Sequence, residues 1–454
     1  MADIKSLDAR DKKYLWHPFT QMHDYKDREM LIIDRARGMK LYDIHGREYY
    51  DTISSWWCIL HGHNHPTIVE TIKKQLDRLD QVQLAGIGHE AAIELAEKLV
   101  ELTPPNLTKV YYSDNGSCAC EIAIKMSLQY WQNVGKPQRK ELVALERGYH
   151  GDTIGTMSLG GVPEFHQAFA DLTFDSHRLP APRCFHCPHR AEKKSCVMEC
   201  IKPLEELLEH RGDRIAALII EPLIQAAGGM NVYPPEYLQK VARLIRKHDI
   251  HLVFDEVATG FGRTGKMFAL EHVGVQPDFL CLSKGLTGGT MPLAATMVTE
   301  EIYQGFYDDY ARDKTFFHGH TFTGNPIACS AALGSLKVFE QEDTLSALPE
   351  KINRLQTAME KFIDLPWVGD LREIGMISAL ELVQDKATMT PFPAEHRVGW
   401  HVYHAGLEEG VILRPLGNVI YLWLPLSVSL DEIDDIVERS FQVIGNPDNI
   451  KGWK

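Results

Sequence analysis

The chain has 454 residues, 44% hydrophobic and 24% charged, an ordinary globular composition with length enough for a large core and a second domain. Its formal net charge of -14 argues against binding to nucleic acid or to an anionic membrane surface. The opening residues, MADIKSLDARDKKYLWHPFTQ, are too charged for a secretory signal, and no apolar run is long enough to cross a bilayer, so a cytoplasmic protein is expected.

In chain order, LIIDRARGMKLYDIHGREYYDTIS, opening at Leu31, alternates and carries a His-Gly turn, which predicts short antiparallel strands. PTIVETIKKQLDRL and AAIELAEKLVEL follow with helical apolar spacing. KVYYSD reads as a strand and CACEIAIKMSLQYWQNV as the helix after it. KELVALE, IAALIIEP, HLVFDE and DFLCLSK are further strands, mostly separated by helices such as EYLQKVARLIRKHD. Strands without polar alternation, spaced by helices, predict an α/β fold whose mostly parallel sheet is covered on both faces. From about residue 336 helices alternate with short strands, up to GVILRPLGNVIYLWLPL and an acidic last helix. The expected division is a large domain at 60–335 and a smaller α+β domain built from 1–59 and 336–454.

Ligands of open α/β sheets collect at the carboxyl ends of strands, and several strands here end in chemistry. In YYSDNGSCACEIAIKM, Gly116 lets backbone approach a ligand, and Ser117 with the free amides of a helix N-terminus suits a phosphate; an ordinary capped turn is the plainer alternative. HLVFDE places Asp255 and Glu256 on opposite faces of a strand end, so one of them can enter a site. DFLCLSKGLTGG sets Lys284 just past an apolar strand, where a desolvated amine loses its charge and becomes a nucleophile towards carbonyls. Asp255 and Lys284 are 29 residues apart, about one helix plus one strand, which lets them end neighbouring strands. A phosphate cradle, a strand-end Asp and a strand-end Lys are together what pyridoxal 5'-phosphate (PLP) requires: an amine for the imine, a carboxylate for the pyridinium nitrogen and an anchor for the phosphate.

Other patterns compete. GFGRTGK, Gly260 to Lys266, fits a nucleotide P-loop, but Met267 stands where a hydroxyl must reach magnesium, so that reading is set aside. His61, His63 and His65 with His318 and His320 suggest a metal, yet no carboxylate or Cys partner has matching spacing, and Gly-rich loop chemistry around Gly319 is preferred. Cys184, Cys187, Cys196 and Cys200 are spaced C-x2-C-x8-C-x3-C. A surface insertion with reduced thiols is the favoured reading, with a structural metal and then disulfides, which the cytosol disfavours, as the alternatives; no metal is assigned to the active site.

The motifs SDNGS, GYHGDT, IIEPLIQAAGGM, DEVATGFGRTGKMFA, LSKGLTGG, HGHTFTGNP and LRPLG together resemble the class III (ω-type) PLP-dependent aminotransferases, of fold type I, over nearly the whole chain. That resemblance implies Lys284 as the Schiff-base lysine and Asp255 as the pyridinium partner. It implies Tyr149 and Val257 on the two ring faces, Gly116 and Ser117 at the phosphate, and Glu221 and Gln225 on the cofactor side. Thr321 would reach the phosphate of a neighbouring subunit, so a homodimer with shared sites is expected. Arg414 would bind the substrate carboxylate, Trp56, Trp57 and Tyr421 would wall its apolar chain, and Asp152 would face its amine. Within the class, WHPFTQM and ISSWWCILHGHNHP look like the branch that converts 8-amino-7-oxononanoate to 7,8-diaminononanoate in biotin synthesis. Phe19 stands where donors of the S-adenosylmethionine type are met by Tyr, and leans towards lysine as donor; Tyr421 keeps both open. An ω-amino-acid:pyruvate aminotransferase and a PLP aminomutase are the rival enzymes, and a nucleotide-binding switch is the rival outside PLP chemistry.

Overall fold

The structure, a computed structural model, describes residues 4–187, 196 and 198–451. Three short antiparallel strands come first, β1 (Ile33–Arg37), β2 (Lys40–Asp43) and β3 (Glu48–Tyr50). The main sheet has seven: β4 (Leu107–Ser113), β5 (Glu141–Leu145), β6 (His177–Leu179), β7 (Ile215–Ile220), β8 (His251–Asp255), β9 (Phe279–Leu282) and β10 (Ala294–Thr299). Their spatial order is β4-β10-β9-β8-β7-β5-β6, and only β10 runs against its neighbours. The strands β7, β8 and β9 are buried residue after residue, as expected of a sheet covered on both faces.

Helices cover that sheet because their apolar residues recur at helical spacing. The one following β4, Gly116–Asn133, buries Ala119, Ile122, Ala123 and Met126. The one preceding β8, Pro235–Arg246, buries Leu238, Val241, Ala242 and Ile245 and leaves its arginines outward. The helix Pro326–Gln341 packs on Pro66–Leu76 and crosses residue 335 without a break. A second antiparallel sheet holds β11 (Val368–Ile374), β12 (Ile377–Asp385) and β13 (Val419–Trp423).

The two ends of the chain are stitched together. Tyr50 N–H donates to the Gly410 carbonyl (2.8 Å), Trp423 N–H to Thr52 (2.7 Å) and Leu426 N–H to Leu60 (2.7 Å). The P-loop look-alike takes part in this seam. Arg263 is fully buried, donates to the Leu424 and Ile59 carbonyls, and has its pKa pushed down to about 9 by burial. Lys266 donates to the Glu271 carbonyl (3.2 Å), so GFGRTGK is a structural loop between two parts of the fold.

Candidate active site

The register of the sheet decides where the chemistry converges. Asp255 pairs with Cys281 across parallel β8 and β9, so Asp255 and Lys284 leave adjacent strands side by side. Gly116, Tyr149 and Glu221 follow the ends of β4, β5 and β7 on the same edge. Together they line a cavity of ≈ 680 Å³ with Ser117, Asp152, Val257 and Trp57.

Lys284 sits at φ 44°, in the left-handed region that a residue with a side chain avoids unless its surroundings enforce it. Its ammonium nitrogen lies 4.8 Å from the centre of the Trp57 ring. Burial lowers its pKa, while Asp255 and Glu221 act in the opposite sense. Asp255 is buried and uses both oxygens: His150 Nδ1 donates to Oδ2 (2.7 Å) and Val257 N–H to Oδ1 (3.1 Å). Glu256, on the other strand face, turns into the protein and accepts from the Ala269 and Leu270 amides. Glu221 is buried and accepts from the Tyr149 and Ala226 amides, yet burial still pushes its pKa up to about 7.

At the other end of this cavity the helix Gly116–Asn133 begins. Asn115 Oδ1 caps it by accepting from Cys118 N–H (3.0 Å). A Cβ at Gly116 would stand 2.5 Å from a Val257 methyl, and one at Gly151 would stand 2.2 Å from Ser117 Oγ. Side chains therefore press on both glycines, beside the start of a helix whose first amides have no intrahelical partner. The Ser117 hydroxyl bonds to those of Thr153 (2.8 Å) and Thr156 (3.0 Å). These glycines, the amide-rich helix start, the buried acid at a strand end and the amine opposite fit PLP in size and chemistry.

A second cavity of ≈ 980 Å³ adjoins the first, and Lys284, Trp57, Tyr149 and Asp152 line both. Phe19, Trp56, Arg414 and Tyr421 line the second. Phe19 meets Trp56 and Phe165 edge-on, each at 5.3 Å between ring centres. The Arg414 guanidinium lies 4.2 Å from the Trp56 ring centre, and Trp57 Nε1–H donates to Tyr421 OH (3.1 Å). Asp152 accepts from Tyr149 OH (2.8 Å).

Two expected residues lie elsewhere. Gln225 lines neither cavity, because its amide is turned to the Glu146 carbonyl (2.9 Å) behind the wall. Thr321 also lines neither; it is exposed, and its carbonyl accepts from Gln81 (2.8 Å). The histidines of the metal reading have separate partners: His61 with Ser335, His63 with Asp51, His65 with Glu342, His318 with Lys125 and His320 with Asp114. Among the described residues, one set of three ligating atoms falls within 4.8 Å, on Cys120, His150 and Asp255. There the acid and imidazole bind each other, and Cys281, burial and Asp255 keep the Cys120 thiol protonated.

Sequence reasoning passed over several residues. His150 orients Asp255, yet nothing in GYHGD ties it to an acid 105 residues away. Arg147, Arg183, His186, Arg372 and Glu381 also line the second cavity. Arg372 pairs with Glu381 (2.7 Å) and Arg147 with Glu164 (3.2 Å). His186 and Arg183 lie in the cysteine-bearing segment, whose thiols drew the attention.

Residues 22–444 match the model of the family described as aminotransferase class-III. A relative from Geobacter sulfurreducens named adenosylmethionine-8-amino-7-oxononanoate aminotransferase is 46% identical, covering 96% of each chain. The crystal structure of the Methanocaldococcus jannaschii protein of that name is 42% identical with a TM-score of 0.92, covering 98% of this chain and 99% of the other. An (S)-enantioselective omega-transaminase from Thermomicrobium roseum has a TM-score of 0.93 at 31% identity, covering 98% of each. Sequence and architecture thus agree over almost the full length, and the chain belongs to the class-III aminotransferase family.

Proposed function

We propose that this aminotransferase converts 8-amino-7-oxononanoate to 7,8-diaminononanoate in biotin synthesis, with PLP as cofactor and lysine or S-adenosylmethionine as amino donor. The observation that carries the reading is Lys284 at the junction of two cavities, one whose lining suits a phosphorylated ring and one walled by aromatic rings and furnished with an arginine. The names of the relatives from Geobacter sulfurreducens and Methanocaldococcus jannaschii support the substrate.

PLP, when bound, supplies an electron sink and stores the amino group between two half-reactions. The chain's residues do the rest. Asp255, oriented by His150, would face the ring nitrogen and hold its proton. Val257 and Tyr149 would flank the ring, with Glu221 beside it, while Gly116 and Ser117 would hold the phosphate. Lys284, whose amine burial makes easier to deprotonate, would carry the proton to and from the reacting carbon. Arg414 would bind a carboxylate, a planar cation suited to two parallel hydrogen bonds. Phe19, Trp56, Trp57 and Tyr421 would exclude water from the chain of the substrate, and Asp152 would face its amine.

Thr321, exposed and outside both cavities, would serve the phosphate of a second copy, giving a homodimer. Exposed Phe317, Phe322 and Tyr310 on the same stretch support an interface there. Cytoplasmic residence accords with cysteines that form no disulfide among the described residues.

The test is a half-reaction screen. The PLP form is mixed in turn with lysine, S-adenosylmethionine, alanine and diaminononanoate, and the visible absorbance is followed. Conversion by diaminononanoate and by one of the first two donors is expected; conversion by alanine alone establishes the pyruvate-linked reading instead. Lys284→Ala should lose both the borohydride-sensitive absorbance and the half-reaction, and normal turnover would remove Lys284 from its role.

A further inference from the structure

The second cavity holds more cations than acids free to meet them. Arg147, Arg183, Arg372 and Arg414 line it, with Asp152, Glu164 and Glu381 as its carboxylates. Each of these acids has both oxygens engaged by protein. Glu381 accepts from Arg372 Nη2 (2.7 Å) and meets His186 Nε2 (2.5 Å). Glu164 takes Arg147 Nη1 on its two oxygens (3.2 and 3.4 Å). Asp152 accepts from Tyr149 OH (2.8 Å) and meets His166 Nε2 (3.3 Å). Arg183 and Arg414 are left over: among the described residues neither guanidinium forms an ion pair or a hydrogen bond.

Arg414 at least lies over the Trp56 ring. Arg183 has no such cover, and its Nε is shielded from solvent without a hydrogen-bond partner. Nε is half of the side-on pair of N–H groups with which an arginine takes a carboxylate through two parallel bonds. Arg211 shows that grip elsewhere in the chain, with Nε (2.7 Å) and Nη2 (2.6 Å) on the two oxygens of Glu141. Arg183 offers the same fork to the cavity. Its neighbours hold it there: a Cβ on Gly369 would stand 3.3 Å from the Phe185 ring, and His186 is tied to Glu381. A sheltered N–H without a partner is costly, and in a chain of formal net charge -14 a cation left unpaired in a cleft marks a place for an anion.

We propose that Arg183 is a second carboxylate-binding residue of this cavity, so that the amino donor and the keto acceptor deliver their carboxylates to different arginines. The inference rests on the proposed reaction, whose two substrates occupy the site in turn. With the reacting carbon of each brought to Lys284, their carboxylates cannot coincide. In a donor that reacts at its α-amine, the carboxylate is one bond from the reacting carbon. In the keto acid it is six bonds away, roughly 7–8 Å along an extended chain of bonds about 1.5 Å long. A single guanidinium over Trp56 would have to travel that difference in every catalytic cycle. Two arginines, each with its fork free, let both substrates bind without that movement.

The experiment is steady-state kinetics of the full-length PLP enzyme and its variants Arg183→Gln, Arg183→Lys and Arg414→Gln, each checked for the absorbance of bound cofactor. In Arg183→Gln, KM should rise about tenfold or more for one substrate and stay within about twofold for the other, the effect of losing one charged hydrogen-bonded pair. Arg414→Gln should show the opposite pattern. Arg183→Lys, which keeps the charge and loses the fork, should fall between wild type and Arg183→Gln. Nonanoate carries the acceptor's carboxylate and no reacting group; as a competitive inhibitor it should weaken in the variant that loses the keto acid, and in that one alone. Arg183→Gln leaving both KM values unchanged, raising both alike, or affecting the same substrate as Arg414→Gln would overturn the inference. Failure of the proposed reaction shows in the wild-type enzyme, as no turnover of the keto acid, whereas failure of this inference shows only in the variants.

Discussion

Asp255 faces the first cavity with neither oxygen free of the protein, and that shapes what it can do. His150 and the Val257 amide hold the Asp255 side chain in one orientation in a buried wall. Removing one member of a buried charged hydrogen-bonded pair costs about 2–5 kcal/mol. Asp255→Ala should therefore keep some cofactor yet lower kcat by roughly 10²-fold or more; wild-type turnover in steady-state assays would contradict this. His150→Gln should act in the same direction and more weakly, with the acid present but freer to turn. Asp255 was legible because strand ends are where ligands bind, and Lys284 because an amine there is costly without a use. His150 was not, since its partner comes from a strand far along the chain.

Four successive residues, Ser54 to Trp57, have positive φ, between 44° and 75°. Such a left-handed turn costs roughly 1–2 kcal/mol per residue, so something must impose it. Asp51, almost fully buried, accepts from the Ser55 amide (2.8 Å), the Ser55 hydroxyl (2.7 Å) and His63 (2.8 Å), and Ser54 Oγ donates to the Trp423 carbonyl (2.5 Å). The turn aims Trp57 under Lys284 and Trp56 under Arg414. Asp51→Ala should cost about 3 kcal/mol of stability and raise KM for the keto substrate; thermal unfolding and initial-rate assays read the two effects. Three-residue β6 was too short to show a pattern, but strands β4, β5, β7, β8 and β9 and the helices beside them were readable. The turn was not, because its residues are ordinary in type and only their tertiary partners make the conformation tenable. Strand β10 was likewise missed, since its antiparallel return leaves no helix as a signal.

Across the whole molecule, buried acids couple stability to pH. Glu221 and Glu256 hold their protons up to about pH 7, against an unfolded value near 4.5, in both cases chiefly through burial. Between those values the folded chain binds more protons than the unfolded one, so stability falls as pH rises from 4.5 through 7, by roughly 2–3 kcal/mol for each group. Denaturant unfolding of the cofactor-free protein from pH 5 to 8 should show that slope, and Glu256→Gln should remove its own share; an unchanged slope would refute the assignment. A division of the chain near residues 60 and 336 is a proposal drawn from texture, with the helix Pro326–Gln341 running unbroken through 335; the change of texture itself was readable. The seam that joins its ends was not, because hydrogen bonds such as Tyr50 to Gly410 have no local signature.

That seam gives the site a schedule. The last residue lining the first cavity is Leu293, whereas the second needs Arg414 and Tyr421. At translation speeds of about 5–20 residues per second, the ribosome delivers the second set on the order of ten seconds after the first. The nascent chain thus holds every residue lining the first cavity before it possesses a wall to select a substrate, and selectivity is born later than the pocket it serves.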